Sequence, residues 1–371
     1  MDGSSLAQQF LGKQIYVQRK IAKPEIDLNV QFELVDKPKN KCYAVRIAAT
    51  VALEGAWISC SAPIHFLVPA TASYEMTKTE SETEQKLGNK FNATLRFRPN
   101  CTSAEFCFRT VEGCSGFLEI FVSAVNSTGR CTQRETIRIA PLSTYRRISA
   151  VDQSRSFNIL QIKGTFSPLK VQSWMSSCFE DIEKLGYKLS DHEGTFSFES
   201  ILLGSHLLCQ IKEEELVFHC ENPTTLAVLM QFFTRQATQE KTKLDIRPKI
   251  VPETCADTLA RIDRILAPIS GRDNIKNLRQ AVTEITAAEG AESMLHPAFR
   301  SDGWRKLQGI DSGVDGDCEI SIDFMHALIV DLMKDYAKLC GRSIMQRLPE
   351  LANILSNDYS LRNLHNFLNS V

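Results

Sequence analysis

The chain has 371 residues, 43% hydrophobic and 23% charged, with a formal net charge of -1, and is long enough for two or three domains with their own cores. The near-neutral balance gives no electrostatic reason to expect nucleic acid as a partner, and no apolar run approaches the roughly 20 residues needed to span a bilayer. The opening MDGSSLAQQFLGKQ lacks the basic-then-apolar order of a signal peptide, and the last four residues carry no cysteine for prenylation.

Residues 6–21 place Leu6, Phe10, Val17 and Ile21 at roughly helical spacing before Pro24 stops the pattern. Residues 1–22 are therefore expected to be the end of a helical or coiled-coil segment, with Leu6, Phe10 and Val17 as candidate partner contacts. From 25 to 140 the period is two. Ile26, Leu28, Val30, Phe32 and Leu34 alternate with Glu25, Asp27, Asn29, Gln31 and Glu33. After a turn at 37–40 (KPKN), Tyr43, Val45, Ile47, Ala49, Val51 and Leu53 continue the alternation, and Phe91, Ala93, Leu95 and Phe97 repeat it. Phe106 and Phe108, a turn at Glu112 and Gly113, then Leu118, Ile120, Val122, Ile137 and Ile139 complete the run. About seven or eight short antiparallel strands with one wet and one dry face predict a β-sandwich. The polar stretch 75–90 reads as a solvated loop.

Residues 141–156 break the pattern and read as a linker, with Arg146 and Arg147 as solvated surface. An α+β platform is expected over 157–250. A strand at 157–163 turns at Gly164, then Ser167 and Pro168 open a helix as N-cap and first helical residue. Val171, Trp174, Met175, Cys178, Phe179, Ile182 and Leu185 carry that helix to Gly186. Strands follow over 195–220, then Asn222 and Pro223 open a second helix with Leu226, Leu229, Met230 and Phe233 on its dry face. Leu244 and Ile246 close the unit. Residues 251–371 read as an all-α region, with stripes broken at Gly271, a long helix ending at Gly341, and shorter helices to Phe367. The intervening 300–318 reads as loop.

Motifs that carry chemistry are scarce. The chain contains no GxGxxG, Walker loop, HExxH, GxSxG or paired CxxC. Residues 311–316 (DSGVDG) resemble the start of a calcium loop, but Gly313 and Ile322 stand where hard oxygen ligands are required. His192 and His219 share a unit with Cys178, yet no spacing supports a nucleophile pair. Twelve cysteines and three sequons, at Asn92, Asn100 and Asn126, could suggest secretion. Cys42, Cys107, Cys178, Cys209 and Cys220 fall inside strand or helix patterns, so reduced cytosolic thiols are the better reading. No catalytic, metal or cofactor residue is assigned. Trp174 and Met175 could line a peptide groove on the platform, or simply pack on its sheet. Met325 and Leu332, on the long helix, could dock a partner or pack internally.

The order of a sandwich followed by a platform is that of the appendage ("ear") domains of clathrin adaptors and coatomer. Several stretches permit a closer match: 93–98 (ATLRFR), 109–113 (RTVEG), 139–143 (IAPLS), 160–167 (LQIKGTFS), 171–174 (VQSW) and 348–355 (LPELANIL), with the finish from Leu361 to Phe367 and Leu368. In this order they resemble the C-terminal half of the Bardet–Biedl syndrome protein 7 family, over roughly residues 25–371. The resemblance implies a γ-adaptin-ear-like β-sandwich, an α+β platform and an all-α C-terminal region. It further implies a non-enzymatic subunit of the BBSome, a coat-like complex that carries membrane proteins into and out of cilia. The expected partners are other BBSome subunits, especially the protein 2 paralogue, and ciliary cargo receptors through the assembled complex. Membrane contact would be indirect, no nucleic acid or cofactor is expected, and the chain alone could form a homodimer. Cytoplasm, cilium and basal body are the implied locations. Members of that family begin with a β-propeller not found here, so a C-terminal fragment is expected. The alternative is a clathrin-adaptor or coatomer-type appendage that binds short peptide motifs; it should end at the platform.

Overall fold

The computed structural model describes residues 28–35, 41–67, 72–79, 91–126, 129–179, 194–212, 214–287, 320–357 and 359–370. The expected helix at 6–21 and the loop at 300–318 lie outside the described residues. So do the calcium-like stretch 311–316 and His192.

Alternation of apolar and polar residues builds two antiparallel sheets. One holds β1 (Leu28–Val35), β2 (Cys42–Ala49), β7 (Ser103–Thr110) and β4 (Ile64–Leu67) in the order β1-β2-β7-β4. The other holds β5 (Tyr74–Thr79), β6 (Phe91–Phe97), β3 (Ala52–Cys60), β8 (Gly116–Asn126) and β9 (Gly129–Ile139) in the order β5-β6-β3-β8-β9. Their inner faces share one core, in which Val45, Ile47, Phe106 and Phe108 meet Ile58, Leu95, Ile120 and Val122. The continuous alternation at 43–53 conceals a change of sheet. β2 ends at Ala49 and β3 begins at Ala52 in the opposite layer, because a crossover of two residues leaves the period undisturbed. Residues 75–79, expected as loop, belong to β5 instead. There Tyr74 faces the core while Glu75 and Thr77 face water, a polar composition that an edge strand tolerates.

The third sheet runs β10-β12-β13-β14-β11-β15, from β10 (Tyr145–Ile148), β11 (Asn158–Gly164), β12 (Gly194–Ser200), β13 (His206–Lys212), β14 (Glu215–Cys220) and β15 (Leu244–Lys249). Its edge strand β10 falls inside the stretch expected to be a linker, pairing Tyr145 with Ser200 and Ile148 with Ser197. Helices α1 (Pro168–Cys178) and α2 (Pro223–Gln239) supply the core on one face of this sheet. Ser167 caps α1 by accepting from the Lys170 N–H, and Asn222 caps α2 by accepting from the Thr224 N–H. Helix α1 stops eight residues before Gly186. Phe179 turns extended at φ -125°, ψ 140°, and its ring stacks on Phe198 with centroids 4.3 Å apart. An aromatic contact of that kind outweighs one more helical residue.

The C-terminal helices are α3 (Glu253–Ala287), α4 (Ile322–Leu339), α5 (Leu348–Asn357) and α6 (Leu361–Asn369). The expected break at Gly271 does not occur: α3 runs through it, and through Pro268. A single glycine costs a helix only about 1 kcal/mol relative to alanine. Cys255, Leu259, Ile262 and Leu266 of α3 pack with Met325, Ile329, Leu332 and Met333 of α4 and with Leu351, Leu364 and Phe367 into a third core.

Candidate functional site

The residues singled out in the sequence are mostly consumed by packing. Trp174 is 2% exposed. It lies between Phe166 and Phe233, with centroids 5.8 Å from each, and its indole N–H donates to Glu240 Oε1 at 2.7 Å. Met175 is wholly buried beside it. Met325 and Leu332 sit in the helical core between α4 and α3. None of these four side chains offers a surface to a partner, because α1 and α4 turn their apolar stripes inward. Leu6, Phe10 and Val17 lie outside the described residues.

The structure instead brings polar residues together where the three cores meet. The turn between β7 and β8 projects Glu112 towards the start of α2. Its Oε1 accepts from the Thr225 hydroxyl, and its Oε2 accepts from Asn222 Nδ2 at 3.3 Å. Gly113 makes the turn possible with φ +83°, and its N–H donates to the Pro141 carbonyl at 2.8 Å. Beside it the Tyr43 hydroxyl donates to the Ser143 carbonyl, and Thr110 and Ser143 share a hydroxyl hydrogen bond of 3.0 Å. Lys41 Nζ reaches the Leu202 carbonyl at 3.2 Å. His65 meets Phe324 of α4 edge-on at 4.7 Å.

A cavity of about 140 Å³ opens at this joint, lined in part by Glu112, Asn222, Thr258, Asp331, Lys334 and Asp335. The Glu112 carboxyl is enclosed, although the residue as a whole is only half-buried. Burial pushes its pKa up to about 7, against the hydrogen bonds from Thr225 and Asn222. Burial and the neighbouring Asp331 push Asp335 up to about 6. Burial raises Asp331 as well. A second polar cluster ties α3 to the third sheet. Glu221 pairs with Arg155 at 3.3 Å and Arg261 at 3.0 Å and accepts the His206 N–H. Buried Asn158 accepts from the Val251 N–H at 2.9 Å and from the Thr254 hydroxyl at 3.1 Å.

The outer face of the five-stranded sheet carries the aromatic residues that the sequence pattern conceals. Trp57 on β3 is 44% exposed and Phe117 on β8 is 54% exposed. Trp57 lies opposite Phe121 in the register, with ring centroids 5.1 Å apart. The Arg134 guanidinium covers the Phe121 ring at 5.6 Å and pairs with Glu119. Arg130 pairs with Glu54. The signal was present as alternation, since Ala56, Ile58 and Cys60 are buried while Gly55 and Trp57 between them are not. It was hidden by a large aromatic residue standing on the wet side.

Among the described residues no group of three or more His, Cys, Asp or Glu could hold a metal ion. Burial pushes the Cys60 thiol up to about 11 and Cys255 to about 12, and raises Cys178, Cys209 and Cys220, which opposes thiolate formation. His219 stands on the sheet face opposite Cys178, edge-on to Phe157 at 6.4 Å.

Two facing antiparallel sheets, a one-sided α+β platform and a packed helical region define a multidomain protein. Residues 145–248 match the family model of the BBS7 platform domain. Over 349 residues the chain is 25% identical to the mouse BBSome complex member BBS7, covering 92% of this chain and 46% of that relative. It is 22% identical over 275 residues to the Caenorhabditis elegans BBSome complex member bbs-7, covering 73% of this chain and 37% of that relative. The chain is thus similar to the BBS7 platform domain over residues 145–248 and to BBS7 along most of its own length. It spans less than half the length of these curated relatives. Among the described residues no helix is long and apolar enough to cross a membrane.

Proposed function

We propose that this chain acts as part of a BBSome subunit, a non-enzymatic scaffold for subunit assembly and for ciliary membrane-protein trafficking. The carrying observation is collinear similarity to BBS7 over 349 residues, with the platform match inside it. In this reading the two-sheet unit is an adaptor-ear-like sandwich, and the Glu112 joint and Glu221 cluster keep sandwich, platform and helices in register for other subunits. The protein 2 paralogue is the preferred partner, cargo receptors engage through the assembled complex, and the chain works in the cytoplasm, at the basal body and on the ciliary coat. An appendage that ends at its platform is the weaker reading, because here a third core follows, built on α3 to α6. Light scattering on the chain, alone and mixed with the corresponding part of the protein 2 paralogue, tests this. A stable one-to-one complex is expected. Two monomers that ignore each other would overturn the pairing.

A further inference from the structure

We propose that the outer face of the five-stranded sheet docks an amphipathic α-helix of a partner protein, apolar along one side and acidic along both edges. Directly opposed residues of an antiparallel pair share a face. The register therefore sets Trp57 between Thr94 and Phe121, and Phe121 beside Arg134. Along β8 the same face carries Phe117, Phe121 and Val125. Phe117 is 54% exposed, Val125 45% and Trp57 44%. The opposite face of β8 is spent on the interior through Leu118, Ile120, Val122 and Ala124. Trp57, Phe117, Phe121 and Val125 belong to none of the described cores. They form an apolar stripe in water, which marks a surface for association.

The stripe has the dimensions of a helix. From Phe117 to Val125 β8 rises about 27 Å, the length of roughly 18 helical residues. Strands β6 and β9 flank it three strand spacings apart, which is about 14 Å and admits a helix about 10–12 Å wide. Gly55 stands beside Trp57 on this face, opposite Arg96 and Ser123. A Cβ there would lie 2.9 Å from the Leu95 carbonyl oxygen, so the position keeps a notch into which an apolar anchor can press against the Trp57 ring. Both flanks are basic. β9 supplies Arg130, Arg134 and Arg138, and β6 supplies Arg96, with Arg98 just beyond it. The described carboxylates of this face are fewer. Glu54 and Glu119 are taken by Arg130 and Arg134, and Arg138 donates to the Ser177 carbonyl. Glu75 stands opposite Arg96, yet no described ion pair involves Arg96 or Arg98. A helix edged with carboxylates meets arginine on both sides, whereas one edged with lysine is repelled. This surface is distinct from the Glu112 joint, and its occupant can be tested whether or not the chain pairs with the protein 2 paralogue.

Isothermal titration of the full chain with three synthetic helical peptides of about 18 residues tests this. One carries a leucine stripe edged with glutamate, one the same stripe edged with lysine, and one the glutamate edges with serine in place of leucine. The glutamate-edged leucine peptide should bind about tenfold or more tightly than either of the others, and added salt should weaken it. Trp57→Ser and Phe117→Ser should each lower its affinity about tenfold, and Arg96→Gln combined with Arg98→Gln about threefold or more. Equal affinity for the glutamate- and lysine-edged peptides would overturn the proposal. So would no measurable binding, or binding indifferent to Trp57→Ser and Phe117→Ser. Should a variant fail to fold, the wild-type ranking of the three peptides and its salt dependence decide. Two further outcomes assign the face elsewhere and overturn the proposal. One is a dimer in light scattering that Trp57→Ser dissociates, which would make a second copy the occupant. The other is cosedimentation with vesicles of equal parts phosphatidylserine and phosphatidylcholine that Trp57→Ser abolishes, which would make it a lipid surface.

Discussion

The platform and the sandwich use the same residue types to opposite ends. In the platform, Phe166, Trp174, Phe218 and Phe233 form a chain of ring contacts beneath α1 and α2, and all four are buried. In the sandwich, Tyr43, Phe106 and Phe108 fill the interior, but Trp57, Phe117 and Phe121 line the outer face of the five-stranded sheet. A sheet covered by helices on one face puts most of its aromatics beneath them, with Phe157 on the open face beside His219. A two-sheet unit has spare outer positions, and an aromatic placed there contributes little to its core. Burial, more than residue identity, separates aromatics that stabilise from aromatics that are free for recognition.

The largest test of that contrast pits the two tryptophans against each other. Trp174→Ala should cost about 3–5 kcal/mol in denaturant unfolding, since it opens a cavity between Phe166 and Phe233 and strips Glu240 of its indole donor. Trp57→Ala should cost about 1 kcal/mol or less, because half of the ring already meets water. Equal losses at the two positions would break the comparison.

Much of this division could be read in the residues. The alternation of Leu28, Val30, Phe32 and Leu34 became β1, and the pairs Ser167–Pro168 and Asn222–Pro223 became capped helix starts, because both signals are local. Local signals fail where distant partners decide. Phe179 fits the helical stripe of α1, yet Phe198 claims its ring and ends the helix. Glu112 reads as an ordinary turn residue beside Gly113. Its enclosure comes from Thr225 and Asp335, more than a hundred residues away. Trp174, Met175, Met325 and Leu332 have the spacing of a core and took that place. Trp57, on a polar face in a strand concealed by the crossover at 50–51, gave no cue.

The joint between the two regions offers a test of intermediate size. Gly113 adopts φ +83°, and a Cβ there would stand 2.7 Å from Val228 Cγ2 on α2. Gly113→Ala combines left-handed strain with that clash and should destabilise by about 1–3 kcal/mol. Because the turn belongs to the sandwich and Val228 to the platform, the two should lose cooperativity together. Separate transitions of the sandwich and the platform in calorimetry would mark the joint as the failing contact.

The smallest expected effect sharpens the comparison most, since it concerns the exposed face alone. Arg134 covers Phe121 and pairs with Glu119, but the arginine side chain is more than half exposed. An ion pair in that setting contributes roughly 0–1 kcal/mol, and the ring contact adds about 0.5–1 kcal/mol. Arg134→Ala should therefore cost about 0.5–2 kcal/mol at most, well below Trp174→Ala, while uncovering the Phe121 ring beside Trp57. A shift in midpoint comparable to that of Trp174→Ala would mean that the outer face belongs to the structural core. A shift no larger than that would leave it a surface whose aromatics the fold does not require.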